Sequence, residues 1–175
     1  MSSNIKLPVQ IIPRQYVLHN LQITYPVLVS GTSAKVLNQI NNAIFNLVNN
    51  ITIQQGCFQE PALINVLGDF EIKTNERGIL SLSIINYAYR FQAAHGMTII
   101  KSLTFDIETG QSYQLNELFK PESDYLNILS EMVKKQVEER DLPIIDGFKP
   151  VRPDQDYYIA DKALVIYYQL YEMTP

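Results

Sequence analysis

Two strand-like runs separated by five residues constrain this chain more than any other feature. The first, "ILSLSIINYAYRF" (79–91), and the second, "MTIIKSLTFDI" (97–107), flank "QAAHG". In the second run Met97, Ile99, Leu103, Phe105 and Ile107 alternate with Thr98, Ser102, Thr104 and Asp106, the period of a half-buried strand. A connection this short joins antiparallel neighbours, because parallel strands need a long crossover. A β-hairpin therefore sits mid-chain, and the rest must pack on it. Within the first run Leu80, Leu82 and Ile84 share one parity, while Ile85, Tyr87, Tyr89 and Phe91 share the other. That switch predicts a β-bulge or strong twist between Ile84 and Ile85.

The flanking sequence supplies partners. Residues 14–29 read as one or two strands, with Val17, Leu21, Ile23, Tyr25, Val27 and Val29 on one parity and Pro26 marking an edge or break. Thr32 or Ser33 then caps a helix whose stripe is Leu37, Ile40, Ile44, Leu47 and Ile51. Asn38, Asn41, Asn42, Asn46 and Asn49 fall around its solvent side, so packing rather than propensity must hold it. A connector "GCFQEP" (56–61) leads to a strand near 62–74, closed by the polar turn "NERG" (75–78). After "ETGQ" (108–111), Pro121 suits the first turn of a second helix with Leu126, Leu129, Val133 and Val137 inward, widened by Tyr125 and Met132. Glu131 and Lys135 are placed for an i,i+4 pair on its outside. The loop "IIDGFKPVRPDQ" precedes Tyr157–Ile159, a turn at Asp161-Lys162, and a strand 163–171 that is apolar on both faces and so belongs inside the sheet. The expected fold is α+β: two amphipathic helices packed on a mainly antiparallel, twisted sheet.

Composition excludes several functions. The 175 residues fit one compact domain or two small halves sharing a core. A net charge of −4 with no basic cluster argues against phosphate-backbone binding, so no nucleic-acid partner is expected. No apolar run approaches the roughly 20 residues that span a bilayer, and the first residues carry no export signal. One cysteine, Cys57, allows no intrachain disulfide and lies in no catalytic context. His19 and His95 stand in separate elements without clustered cysteines or acids, so neither a metal nor a cofactor is expected.

His95 is the one candidate for acid–base chemistry, with Asp106 or Glu108 as orienting carboxylate. At about 3.3 Å per residue, those acids lie far along the same strand. The stronger reading is that His95-Gly96 shapes the hairpin connection and bonds local backbone. Tyrosines crowd the C-terminus (Tyr157, Tyr158, Tyr167, Tyr168, Tyr171), and Tyr87 and Tyr89 share a strand face. Their rings suit sugar stacking or an interface hot spot, as well as ordinary strand packing. Candidates for ligand contact are thus His95, Tyr157, Tyr158, Tyr168 and Tyr171; no catalytic constellation is found.

The stretch "AAHGMTIIKSLTFDIETGQSYQLNELF" and the closing "DYYIADKALVIYYQLYEMTP" together resemble an uncharacterised bacterial domain. It is the one at the C-terminus of the anti-sigma-V factor RsiV. The matching residues are His95, Thr109, Gly110, Leu115, Leu118, Phe119, Tyr158, Leu164, Val165, Tyr168, Tyr171, Glu172 and Pro175. Residues 14–92, with a "T-Y-P" strand, an Asn-rich helix and a "Y-x-Y-x-F" strand, resemble the domain that precedes it, shared with the peptidoglycan deacetylase PdaC. The resemblance implies halves at 1–92 and 93–175 packed as one unit. It also implies a noncatalytic, extracytoplasmic module of Gram-positive cell envelopes, where the related region of the anti-sigma factor is a receptor for lysozyme. This sequence shows neither an anchor and sigma-binding segment nor a deacetylase domain, and it stops where the family continues with another aromatic-Gly-Pro segment. The expectation is a binding or sensing module for a protein or glycan of the envelope, such as a cationic protein or cell-wall component. The alternatives are a cell-wall hydrolase using His95 and a structural scaffold without a small ligand.

Overall fold

The computed structural model describes residues 8–57 and 60–175, so Phe58 and Gln59 of the "GCFQEP" connector lie outside the described residues. A hairpin of β1 (Gln10–Leu18) and β2 (Leu21–Ser30) leads into α1 (Ala34–Gln54). Strands β3 (Leu63–Glu76), β4 (Ile79–Arg90) and β5 (Met97–Asp106) follow, then a 3₁₀ turn at Leu115–Leu118 and α2 (Tyr125–Glu139). A second hairpin, β6 (Tyr157–Ala160) and β7 (Ala163–Ile166), closes the chain. The main sheet runs β1-β2-β3-β4-β5, and β6-β7 form a separate two-stranded sheet. The fold is α+β, as the periodicity predicts. One pair departs from antiparallel: β2 and β3 run parallel over Leu21–Ile23, with α1 as the crossover between them. No helix among the described residues is long and apolar enough to cross a membrane.

The central hairpin forms as its sequence dictates. β4 and β5 pair without interruption from Ile79↔Asp106 to Ala88↔Met97. The bulge expected between Ile84 and Ile85 is absent; the irregularities lie in β3, near Leu63–Asn65 and Ile72–Thr74. Parity in β4 never switches. Leu80, Leu82, Ile84, Asn86 and Ala88 all face the core, and the polar Asn86 hid that continuity. Gln55, the C-cap of α1, donates from Nε2 to the backbone carbonyl of Asn86 at 3.1 Å, while the Asn86 side-chain oxygen is buried without a hydrogen-bond partner. Arg77 and Gly78 both take positive φ (54° and 84°), the geometry of a two-residue hairpin turn between β3 and β4.

The larger core lies between α1 and this sheet. Val36, Ile40, Ile44, Val48 and Ile51 are buried against Leu21, Ile23, Val66, Leu82, Ile84 and Phe105, with Leu37 and Leu47 at the margin. Ser33 is the cap, its Oγ accepting from Val36 N. The Asn-rich face is not all solvent: Asn41 is half-buried and uses its amide on β2, accepting from Leu28 N (2.8 Å) and donating to Leu28 O (2.9 Å). β2 changes phase after Ile23, burying Pro26 and Leu28 and leaving Val29 exposed, where simple alternation predicts the reverse. Pro26 shares the parity of Leu28, whose backbone points away from β1 toward α1. Its missing N–H therefore falls beyond the end of the β2–β3 pairing and leaves no ladder bond unmade.

The sheet's second face receives β6 edge-on, across the strands. Thr74, Ser81 and Thr104 stand in one row through β3, β4 and β5. Along this row Thr74 Oγ1 donates to Ile159 O (2.8 Å) and accepts from Asp161 N (2.9 Å). Ser81 Oγ accepts from Ile159 N (3.0 Å) and bonds Thr104 Oγ1 (2.9 Å). These threonines and serine are thus a polar seam between two layers. β7 ends at Ile166 and pairs only with β6. That corrects the strand 163–171 placed inside the sheet, because residues 167–171 leave the ladder to run beside β5.

Beyond β6–β7 lies α2, with Leu126, Leu129 and Val133 against Leu115, Val151 and Tyr157. The helix starts at Tyr125 rather than near Pro121, Met132 is 54% exposed rather than part of the stripe, and Lys135 pairs with Glu139 at 3.7 Å rather than with Glu131.

Candidate functional site

His95 sits on the surface at the β4–β5 connection, and both ring nitrogens are engaged. Nδ1 lies 3.0 Å from Gly96 O, and Nε2 lies 2.8 Å from the Tyr171 hydroxyl. A carbonyl only accepts, so Nδ1 carries the proton and Nε2 accepts from tyrosine. The ring therefore ties the hairpin to the C-terminal segment. Gly96 is required here because a Cβ would fall 2.2 Å from the Tyr87 ring, which lies across it. Asp106 is at the opposite end of β5, its Oδ1 accepting from Glu108 N and Thr109 N in a turn. The structure brings His95 to Tyr171 and to neither carboxylate considered from the sequence.

Of the other candidates, Tyr157 is buried and donates to Tyr113 O (2.7 Å), and Tyr168 donates to Lys149 O (2.8 Å). Burial raises both phenols above their ordinary value. Tyr158 packs beside Tyr167 under the ammonium of Lys73. Tyr167, pushed further up by burial, bonds Ser102 at 2.8 Å. These tyrosines act as struts. Tyr171 alone stays largely exposed, at 46%.

The sequence reading passed over Gln169. Its Nε2 donates to Ile100 O (2.6 Å), and its Oε1 accepts from Ile100 N (3.2 Å), so the side-chain amide acts as a strand partner for the open edge of β5. It also donates to Asp156 (2.8 Å), which holds Lys101 at 2.8 Å. Glu172 accepts from Gln169 N and from Arg152. Burial pushes the Glu172 carboxyl up, but the Gln169 amide, Arg152 and Lys149 together hold it below its ordinary value. From Tyr167 at Ser102 through Gln169 at Ile100 to Tyr171 at His95, the segment follows β5 backwards as a sixth strand made of side chains. The order Tyr167, Gln169, Tyr171, Glu172 was visible in sequence, but its meaning needed the edge it closes.

What remains open is the other half of the second face. Register places Val17, Gln22, Leu67, Tyr87 and Thr98 in one row across five strands. Asp69, Ile85 and Ile100 form the row beside it toward the seam. Val17 and Leu67 are 62% and 45% exposed, and Ile85, Tyr87 and Ile100 are half-buried. An aromatic ring, amide, hydroxyl and carboxylate groups therefore stand on a partly apolar platform.

Residues 116–175 match the family described as a protein of unknown function, DUF3298. The chain is also similar to the crystal structure of a DUF3298 family member from Bacteroides fragilis, with a TM-score of 0.62 and 13% identity over 98% of this chain and 86% of that one. A DUF3298 family protein from Pseudomonas aeruginosa matches at a TM-score of 0.55 and 12% identity, over 77% of this chain and 68% of that one. At these identities the likeness is one of fold. Among curated proteins none matches the chain.

Proposed function

We propose that the protein is a noncatalytic binding module of bacterial cell-envelope type, related to the C-terminal region of RsiV and the N-terminal region of PdaC, and that it recognises a cell-wall glycan. The observation that supports this reading is the open row Val17-Gln22-Leu67-Tyr87-Thr98 beside Asp69. Sugar rings stack on aromatic and apolar surface while carboxylate and amide groups take their hydroxyls. His95, the one acid–base candidate, already spends both nitrogens on Gly96 and Tyr171, which argues against the hydrolase reading. A second reading, a cationic protein such as lysozyme, is favoured by the −4 charge and the exposed carboxylates of Asp69 and Glu71.

Calorimetric titration with soluble peptidoglycan fragments and, separately, with lysozyme tests both. The glycan reading expects saturable binding of the fragments, lost in Leu67→Asp, an exposed site where the fold is retained. Binding of lysozyme alone, weakened by Asp69→Asn, selects the second reading. Cleavage of the fragments that His95→Gln abolishes would reinstate the enzyme.

A further inference from the structure

A groove of about 460 Å³ runs between α2 and β7, on the far side of the molecule's second layer from the sheet platform. Its existence follows from a mismatch of widths. A helix with side chains is about 10 Å across, whereas β6 and β7 are neighbouring strands about 4.8 Å apart. The two-stranded sheet cannot cover the whole apolar side of α2. Leu129, Val133 and Val137 reach it, while Met132 and Ile128, one turn apart, stay 54% and 57% exposed. Leu164, Ile166 and Met173 form the opposite wall and floor. The volume falls within the range of about 300–1,000 Å³ that takes a small ligand.

Charge at the rim selects the ligand. Arg140, the C-cap of α2, lines the groove, and its guanidinium donates to Gln136 Oε1 at 3.2 Å. Among the described residues it enters no ion pair, and no acidic residue lines the groove. A cation lacking a carboxylate at the mouth of an apolar slot complements one anion carried on an apolar body.

We infer that this groove binds a free single-chain amphiphile with one anionic head group, its chain along Met132, Val133 and Leu164 and its head on Arg140. The site is separate from the sheet platform and stands whether or not the platform binds glycan.

The test titrates the full chain with dodecanoate below micelle formation, read by displacement of anilinonaphthalene sulfonate. Dodecanol and dodecyltrimethylammonium serve as neutral and cationic counterparts. Saturable one-to-one binding of dodecanoate is expected, at least about tenfold tighter than dodecanol, as a charge-assisted hydrogen bond requires. Arg140→Gln should remove that preference, and Met132→Glu should abolish binding; both positions are exposed, so urea midpoints should stay unchanged. Equal binding of the three chains by the unaltered protein overturns the inference, as does dodecanoate binding that neither substitution affects. A concentration-dependent dimer dissolved by Met132→Glu, with dodecanoate inert, would assign the groove to a second copy. Cosedimentation with phosphatidylglycerol vesicles without uptake of dodecanoate would assign it to a membrane surface.

Discussion

The two layers on either side of the main sheet are built on different principles. Between α1 and the sheet, the described residues include eighteen buried members of one cluster, nearly all aliphatic, closed by the single aromatic Phe105. Around α2 and the β6–β7 hairpin the buried hydrophobic residues among those described are few: the cluster of Leu115, Val151 and Tyr157, with Val137 and Met173 beside it. The second layer is held instead by directed bonds: the Thr74-Ser81-Thr104 seam, Gln169 on the β5 edge, and Ser130 Oγ accepting from Val151 N at 2.9 Å. A dry core derives its stability from area and close packing. A polar seam contributes less net free energy but fixes register, since each unmade bond is costly when buried. The difference teaches where stability and where open surface reside: the thick core is filled by aliphatic side chains, and the thin one leaves a groove.

Substitutions test that contrast in descending order of effect. Ile44→Ala, in the thick core, should lower the unfolding free energy by about 2–5 kcal/mol in urea denaturation. The half-buried Val133→Ala in α2 should lose only about 1 kcal/mol; equal losses would break the comparison. Ser81→Ala strands the Ile159 N–H and should cost about 1–3 kcal/mol, seen as faster hydrogen exchange in β6–β7 while α1 stays protected. Gln169→Leu uncaps Ile100, so that amide should exchange faster and the freed β5 edge should promote association on sizing columns.

The C-terminal segment also carries a pH dependence. The folded state depresses the Glu172 carboxyl below its ordinary value of 4.5. Its contribution is therefore full above that value and disappears as pH falls through the lower folded-state value. Proteolysis of residues 167–175 should accelerate in that acid window, and Glu172→Gln should flatten the dependence. Tyr171→Phe, which removes one exposed hydrogen bond to His95, should change stability least, by about 0.5 kcal/mol or less.

Legibility in the sequence followed the strength of local pattern. The β4–β5 hairpin, a turn within 75–78, the Asp161-Lys162 turn and the centre of the α1 stripe (Ile40, Ile44 and Ile51) were readable because each repeats a short-range rule; Val36 and Val48, rather than Leu37 and Leu47, complete the buried face. Asn86 masked the continuity of β4, since a polar residue on a core face has the pattern of a change of phase although its side chain is buried. Met132 misled the reading of α2, since periodicity counts apolar residues but not the width of what covers them.

By itself, then, the sequence determined most of the elements though not all their bounds, the α+β class and the local bonding of His95-Gly96, because alternation and turn chemistry act between neighbours. Tertiary structure alone decided that Tyr171 closes on His95, that Gln169 replaces a strand, and that five residues from five strands form one open row. Those relations depend on register between distant segments, such as Thr74 and Asp161, 87 residues apart, and register is set by the packing of whole layers.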